Sequence, residues 1–88
     1  MYIIKKFYAD WCGPCKTLTK TLGIAVENDT RFMVEEINID LPENTDLVTQ
    51  HNVKSIPFVL IEDIKGNILT KFNGAKSVSQ LKEILNSL

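Results

Sequence analysis

The sequence predicts one α/β domain over residues 1–88, with the element order β-α-β-α-β-β-α. Two observations predict this class. Short apolar runs rich in aromatic and β-branched residues alternate with segments whose apolar residues recur at helical spacing. The chain also contains no repeat, linker or low-complexity segment. A chain of this length can bury one core, so helices packed on a single sheet are the most economical arrangement.

The first half of the chain predicts a strand, a helix and a second strand. The short, apolar and aromatic run Tyr2–Ala9 is typical of a strand. A helix is expected from Pro14 to about Glu27, because apolar residues recur there at helical spacing, namely Leu18, Leu22, Ala25 and Val26. Proline is tolerated in a first helical turn, where its missing N–H has no partner to lose. After Asn28-Asp29-Thr30, the run Phe32–Ile39 predicts a strand whose side chains alternate between two faces.

The second half predicts a short helix, a hairpin and a final helix. Residues Glu43–His51 form the expected short helix, with Leu47 and Val48 facing the core. The strands Pro57–Ile61 and Ile68–Asn73 are joined by a turn at Lys65-Gly66-Asn67. Ser77 and Gln80 have the spacing of a capping box, and one apolar stripe follows them, formed by Val78, Leu81, Leu85 and Leu88.

Composition and charge exclude several classes of function. Ten basic and eleven acidic side chains give a net charge of −1, and the basic residues are scattered. We therefore expect no nucleic-acid partner. No apolar stretch approaches the length of a membrane span, and the N-terminal residues become polar too soon for a secretory signal. The expectation is a cytoplasmic monomer without membrane association.

Cys12 and Cys15 are the only cysteines, and their spacing is that of a redox dithiol. A disulfide that closes so small a loop stabilises a fold very little, since the stabilisation grows with loop length. Half a zinc site is one alternative, but only His51 could join the pair as a ligand, and zinc needs four. Two incidental buried thiols are the other alternative. In a reducing compartment a lone Cys-x-x-Cys is more often catalytic than structural.

The chain resembles the thioredoxin family over nearly its whole length. The resemblance lies in four motifs: Trp11-Cys12-Gly13-Pro14-Cys15-Lys16, Asn38-Ile39-Asp40, Ser55-Ile56-Pro57 and Asn73-Gly74-Ala75. It implies a four-stranded mixed sheet flanked by three helices. Because the sequence opens on the strand before the first motif, we expect the N-terminal strand and helix of ordinary thioredoxins to be absent. The strand Phe32–Ile39 would then be a sheet edge.

The resemblance also implies an enzyme that reduces protein disulfides. Cys12, at the start of a helix, would be the more exposed sulfur, and the positive helix N-terminus would favour its thiolate. Cys12 would attack the substrate disulfide, and Cys15 would then resolve the mixed disulfide. Gly13 and Pro14 would set how tightly the pair closes. In this family Gly-Pro between the cysteines is associated with reductants.

Three further positions are expected to bind substrate. Pro57 would follow a cis peptide bond opposite the dithiol, leaving the backbone of Ile56 free to pair with an extended substrate. Gly74 either lines the groove or only permits a tight turn. Trp11 is either a packing residue or a contact surface. Without the resemblance, Pro57 would be interpreted as a routine loop proline, and His51 is interpreted as a cap or surface residue.

Lys6 and Glu36 depart from the pattern of the family. Where the family carries a buried Asp that serves proton transfer to the resolving cysteine, this chain has Lys6. Where a basic partner commonly lies on the neighbouring strand, it has Glu36. We expect the two to form a partly buried cross-strand pair with exchanged signs, in which Glu36 takes the proton of Cys15. The alternative is two exposed strand charges.

Two other functions remain open. A glutaredoxin-type, glutathione-dependent reductase shares the element order, but it usually carries a Gly-Gly pair followed by an acid where this chain has Asn73-Gly74-Ala75. A non-catalytic interaction module is the third hypothesis. The chain has no flavin or nicotinamide fingerprint, so we expect no bound cofactor or metal. Its partners would be disulfide-containing proteins and an electron donor of the thioredoxin reductase type.

Overall fold

A central sheet with the strand order β2-β1-β3-β4 organises the computed structural model, which describes all residues Met1–Leu88. The elements in chain order are β1 (Tyr2–Tyr8), α1 (Gly13–Ala25), β2 (Phe32–Asn38), a 3₁₀ turn (Pro42–Asn44), α2 (Thr45–Gln50), β3 (Phe58–Asp63), β4 (Ile68–Asn73) and α3 (Val78–Asn86). Strands β1 and β2 are parallel, whereas β3 is antiparallel to both β1 and β4. The predicted four-stranded mixed sheet with three helices is confirmed.

The two faces of the sheet carry separate parts of the core. On one face Ile4 and Val59 pack with α1 and α3, whose buried residues are Leu18, Leu22, Ala25, Leu81 and Leu85. On the other face Phe7, Ile37, Phe58 and Leu60 pack beneath the half-buried Leu47 and Val48 of α2. Each fully buried aliphatic or aromatic side chain contributes about 1.5–3 kcal/mol to stability. Helices therefore pack on both faces of the sheet. The cysteines follow the carboxyl end of β1.

The ends of α2 and β3 differ from those that the sequence predicts. The expected helix Glu43–His51 is divided into a 3₁₀ turn and the short α2, and no residue of either is fully buried. Strand β3 begins after Pro57, because proline has no N–H for the ladder. It extends past Ile61 to Asp63, because Glu62 neutralises its buried charge with Lys5 at 3.1 Å.

Helix ends follow the predicted signals more closely. The capping box of Ser77 and Gln80 is formed in both directions. Helix α1 ends at Ala25 rather than Glu27, and Asn28 then adopts a positive φ of 58°. Leu88 lies beyond α3 but still packs on the core. None of the helices is both long enough and apolar enough to cross a membrane.

The turn between β3 and β4 is built around the Asp63 carboxylate. Its Oδ1 accepts the backbone N–H groups of Lys65 at 2.9 Å and Asn67 at 3.0 Å, and its Oδ2 accepts the Asn67 amide. Gly66 supplies the positive φ of 87° that the turn requires. The hydrogen bonds from the side chain and backbone of Asn67 hold the pKa of Asp63 below its usual value.

Asp63→Asn is therefore expected to destabilise the fold at neutral pH and to have less effect in acid. A carboxyl whose pKa is lowered by folding stabilises the folded state above its unfolded pKa, about 3.9 for Asp, and loses that contribution as pH falls through the folded value. Urea unfolding of both proteins at neutral pH and near pH 3 measures the difference. A gap in unfolding free energy that is unchanged in acid would show that the charge of Asp63 contributes nothing.

Candidate active site

Cys12 and Cys15 form a disulfide at the start of α1, with their Cα atoms 5.3 Å apart. Cys12 is the N-cap residue in an extended conformation (φ −90°, ψ 107°), and its Sγ accepts the backbone N–H of Cys15 at 3.1 Å. Pro14 occupies the first turn, as predicted. A helix N-terminus and a backbone N–H both stabilise negative charge, so the position of the Cys12 Sγ suits a thiolate.

Both cysteines are buried in the disulfide form. Cys12 is 4% exposed and Cys15 is 2% exposed, in a small cluster with Ala9. Cys12 is the more exposed of the two, as expected, but the margin is small because Tyr8, Ile39 and Ile56 pack around the pair. The two residues therefore differ mainly in the helix cap and its hydrogen bond rather than in exposure.

Trp11 is a surface residue and not part of the core. Its side chain is 70% exposed, and its indole Nε1–H donates to Oδ2 of Asp40 at 2.9 Å. The hydrogen bond fixes a flat aromatic surface directly before Cys12. Asp40 entered the sequence analysis only as part of a motif, because nothing local indicates a contact with a residue 29 positions earlier.

The loop before β3 lies against the dithiol and is tied to the end of β4. The Ile56–Pro57 peptide bond is cis, and the side chain of Ile56 packs on the cysteine cluster. The backbone N–H and C=O of Ile56 make no hydrogen bond within the chain. The N–H of Gly74 donates to the carbonyl of Pro57 at 2.9 Å, and the Asn73 amide donates to Oγ of Ser55 at 2.9 Å.

The two glycines of the site are both open to a partner. A Cβ added at Gly13 or Gly74 would meet no heavy atom within 4 Å. Gly74 has a positive φ of 84°, so it satisfies both alternatives, a turn that needs glycine and an open surface beside Pro57. The surface around the disulfide is thus accessible at Trp11, Gly13 and Gly74. Ile56 adds a backbone N–H and C=O without partners.

Lys6 is fully buried beneath the dithiol. It is 1% exposed, and its Nζ lies 2.5 Å from Oε1 of Glu36, which faces it in the β1–β2 register. The Lys6 ammonium also donates to Oγ1 of Thr19, and that hydroxyl donates to the carbonyl of Cys15 at 3.0 Å. The structure brings Lys6 and Glu36 together, as expected. The alternative, in which both charges are exposed, is wrong for Lys6. The Glu36 side chain is 46% exposed.

Thr19 is the member of this group that sequence reasoning missed. It follows Cys15 by four residues, so both lie on the same face of α1, and this spacing was the available signal. His51, by contrast, lies away from the cysteines. It caps the end of α2 and makes an edge contact with Phe7, with ring centroids 5.9 Å apart. No group of three or more His, Cys, Asp and Glu side chains is placed to hold a metal ion.

Two clefts open along α1 on either side of Thr19 and Glu36. The larger, of about 360 Å³, borders the dithiol and is lined by Tyr8, Ala9, Asp10, Cys15, Lys16, Thr19 and Glu36. The smaller, of about 270 Å³, is lined by Lys6, Thr19, Leu22, Gly23, Val34 and Glu36. Glu36 is thus the carboxylate that contacts both the buried ammonium and the space beside Cys15.

The Lys6–Glu36 pair is expected to show strong coupling in stability. Glu36→Ala leaves a buried ammonium without its counter-charge, and breaking a buried pair in this way costs about 3–5 kcal/mol. Lys6→Ala leaves Glu36 half in water but also removes a packed side chain. The double variant is expected to be less destabilised than the sum of the single variants, which urea unfolding of all four proteins measures. Additive free energies would mean that the two charges do not interact.

The sequence matches a known protein family over nearly its whole length. The thioredoxin family model matches residues 1–87. The chain is 43% identical over 77 residues to thioredoxin-T of Drosophila melanogaster, covering 85% of this chain and 46% of that protein. It is 38% identical to thioredoxin of Buchnera aphidicola, covering 96% of this chain and 75% of that protein.

The solved structures agree with the sequence matches. Chloroplastic thioredoxin z superposes with a TM-score of 0.83 at 31% identity, covering 99% of this chain and 77% of that one. The chain spans about half the length of several of the curated relatives it matches. The match over nearly all its residues, in sequence and in fold, shows that the chain belongs to the thioredoxin family.

Proposed function

We propose that the protein is a thiol–disulfide oxidoreductase that reduces disulfides in other proteins through Cys12 and Cys15. The observation that carries this proposal is the position of the Cys12 Sγ, which caps α1 and accepts the N–H of Cys15. A thiolate at that position is stabilised before any substrate arrives. The nucleophile in thiol–disulfide exchange is the thiolate, and this supports Cys12 as the residue that attacks first.

The reduction proceeds by two exchanges. The Cys12 thiolate attacks one sulfur of the substrate disulfide and forms a mixed disulfide, while the other substrate sulfur leaves as a thiolate and takes a proton from solvent. Cys15 then loses its proton and attacks the Sγ of Cys12. The Cys12–Cys15 bond forms, the second substrate sulfur leaves as a thiol, and two electrons have passed to the substrate.

The surface around the dithiol suits an extended substrate segment. The free N–H and C=O of Ile56 can pair with the backbone of a substrate strand, as in other cases of strand addition. Trp11, held by Asp40, supplies a flat apolar contact beside it. The open faces of Gly13 and Gly74 leave room for that segment to reach the sulfurs.

The oxidised protein must be reduced again before each turnover. We propose a separate donor of the thioredoxin reductase type, which draws electrons from NADPH, since the chain has no sequence fingerprint for a flavin or a nicotinamide. We also propose a monomer that works in the cytoplasm, where a reducing environment makes a catalytic role for a lone Cys-x-x-Cys more usual than a structural one.

Insulin reduction tests the activity. The protein is expected to accelerate reduction of insulin disulfides by dithiothreitol, measured as turbidity from the precipitating B chain, and to do the same with thioredoxin reductase and NADPH. Cys12→Ser is the inactive control. No acceleration over dithiothreitol alone would contradict the proposal and favour an interaction module. Activity that needs only glutathione and glutathione reductase would favour the glutaredoxin-type function.

Trapping tests the roles of the two cysteines. Cys15→Ser is expected to accumulate a covalent mixed disulfide with insulin or another disulfide protein, because the first attack is intact and the second is blocked. Cys12→Ser is expected to accumulate none. Non-reducing electrophoresis and mass spectrometry of the adduct measure both. Trapping by Cys12→Ser alone would reverse the assigned roles.

A further inference from the structure

The larger of the two clefts offers the proton of Cys15 a route out of the protein. The Cys15 side chain is buried, yet it must become a thiolate before it can attack Cys12. The larger of the two clefts is bordered by Cys15 and is wide enough to hold several water molecules. A proton that leaves Cys15 by way of water therefore passes the side chains that line this cleft.

Four ionisable side chains besides Cys15 line that cleft: Tyr8, Asp10, Lys16 and Glu36. Phenol and ammonium groups ordinarily keep their protons at neutral pH, so the two carboxylates are the available acceptors. Asp10 is exposed and makes no ion pair or side-chain hydrogen bond, so nothing holds it toward Cys15. Glu36 is fixed by the buried ammonium of Lys6.

We propose that Glu36 is the proton acceptor for Cys15, acting through water in this cleft, and that Lys6 is the residue that positions it. This inference rests on the proposed disulfide reduction. In the resolving step the thiol proton of Cys15 passes through water to the Glu36 carboxylate, and Cys15 attacks Cys12. The substrate sulfur leaves with the electron pair of the broken bond and receives its proton from protonated Glu36 through the same water or from solvent.

The placement of the two charges explains why Lys6 positions the Glu36 carboxylate and does not itself accept the proton. The Lys6 ammonium donates to Glu36 and Thr19, so it holds the carboxylate in place and offers no acceptor of its own. Thr19 links the ammonium to the carbonyl of Cys15, so one contact network holds both the acceptor and the turn of α1 that carries the thiol. Glu36 is half exposed, which lets it exchange protons with bulk water after each turnover.

A chromogenic aromatic disulfide, mixed with the reduced protein in a stopped-flow instrument, separates the two exchanges. It releases one coloured thiolate when Cys12 attacks and a second when Cys15 resolves. Glu36→Gln keeps the shape and a hydrogen-bond acceptor for Lys6 but cannot take a proton. It is expected to leave the first phase unchanged and to slow the second about tenfold at neutral pH, a modest share of what general bases contribute.

The pH profile and chemical rescue distinguish proton transfer from a structural effect. The deficit of Glu36→Gln should shrink as pH rises, because hydroxide then accepts the proton. Added formate should restore the second phase in this variant, in proportion to its concentration, and leave the wild type unaffected. If Glu36→Gln does not fold, the double variant Lys6→Met/Glu36→Gln makes the same test with formate, because it removes the buried ammonium together with its counter-charge.

Two matched controls make the result specific. Asp10→Asn removes the other carboxylate of the cleft, and Glu62→Gln removes a lysine-paired carboxylate, bonded to Lys5, from β3. Neither is expected to slow the second phase. A second phase of wild-type rate in Glu36→Gln, or one slowed equally by Asp10→Asn, would overturn the assignment to Glu36. Loss of the first phase in the wild type would instead contradict the proposed function itself.

Discussion

The buried ammonium of Lys6 constrains the whole region beneath the dithiol. Transferring a charge from water to a protein interior costs several kcal/mol unless partners replace the lost hydration. Glu36 and Thr19 supply those partners directly, and the Tyr8 ring lies 5.7 Å from the Nζ atom. Glu36 lies on the edge strand β2 and Thr19 lies on α1. The contacts of the Lys6 ammonium therefore hold both elements in place relative to β1. Strand pairing alone would not set the position of the helix so closely.

The two cysteines have different surroundings although they are only three residues apart. Cys12 lies at the end of α1, where the N–H of Cys15 and the helix N-terminus stabilise a negative charge. Cys15 lies one turn further along α1, where Thr19 donates to its carbonyl and the residue borders the larger cleft. Disulfide exchange needs one thiol that is ionised early and one that ionises only when required. In the proposed reaction, the positions of Cys12 and Cys15 along the first turn of α1 provide that difference.

Most of the fold could be predicted from the sequence because local signals and global topology agree. The spacing of Leu18, Leu22 and Ala25 predicts α1, and the capping box at Ser77 predicts the start of α3. The split of the Glu43–His51 segment could not be foreseen, because a short exposed segment has no buried stripe to favour an α-helix over a 3₁₀ turn. The extension of β3 past Ile61 depends on a partner for Glu62 on another strand.

The candidate site shows the same division between local and long-range information. The cysteine pair is visible in the sequence because its chemistry depends on a spacing of three. The hydrogen bond from Trp11 to Asp40 and the role of Thr19 depend on how separate elements pack, and no local pattern encodes them. A partly buried Lys6–Glu36 pair was expected from the sequence. Which partner is buried was not, because the half exposure of Glu36 depends on what covers the outer side of β2.

Strand β2 lies at the edge of the sheet and carries Glu36, the partner of the buried Lys6. An exposed edge invites pairing with other chains, and inward- or outward-pointing charges discourage it. Glu36 is held by Lys6, so the neighbouring Glu35, which is exposed, is the charge left to protect the edge. Were β2 covered by a further element, Glu36 would be buried with Lys6 and cut off from water. The open edge is therefore a condition for the role proposed for Glu36, which neutralises a buried cation and would pass protons to solvent.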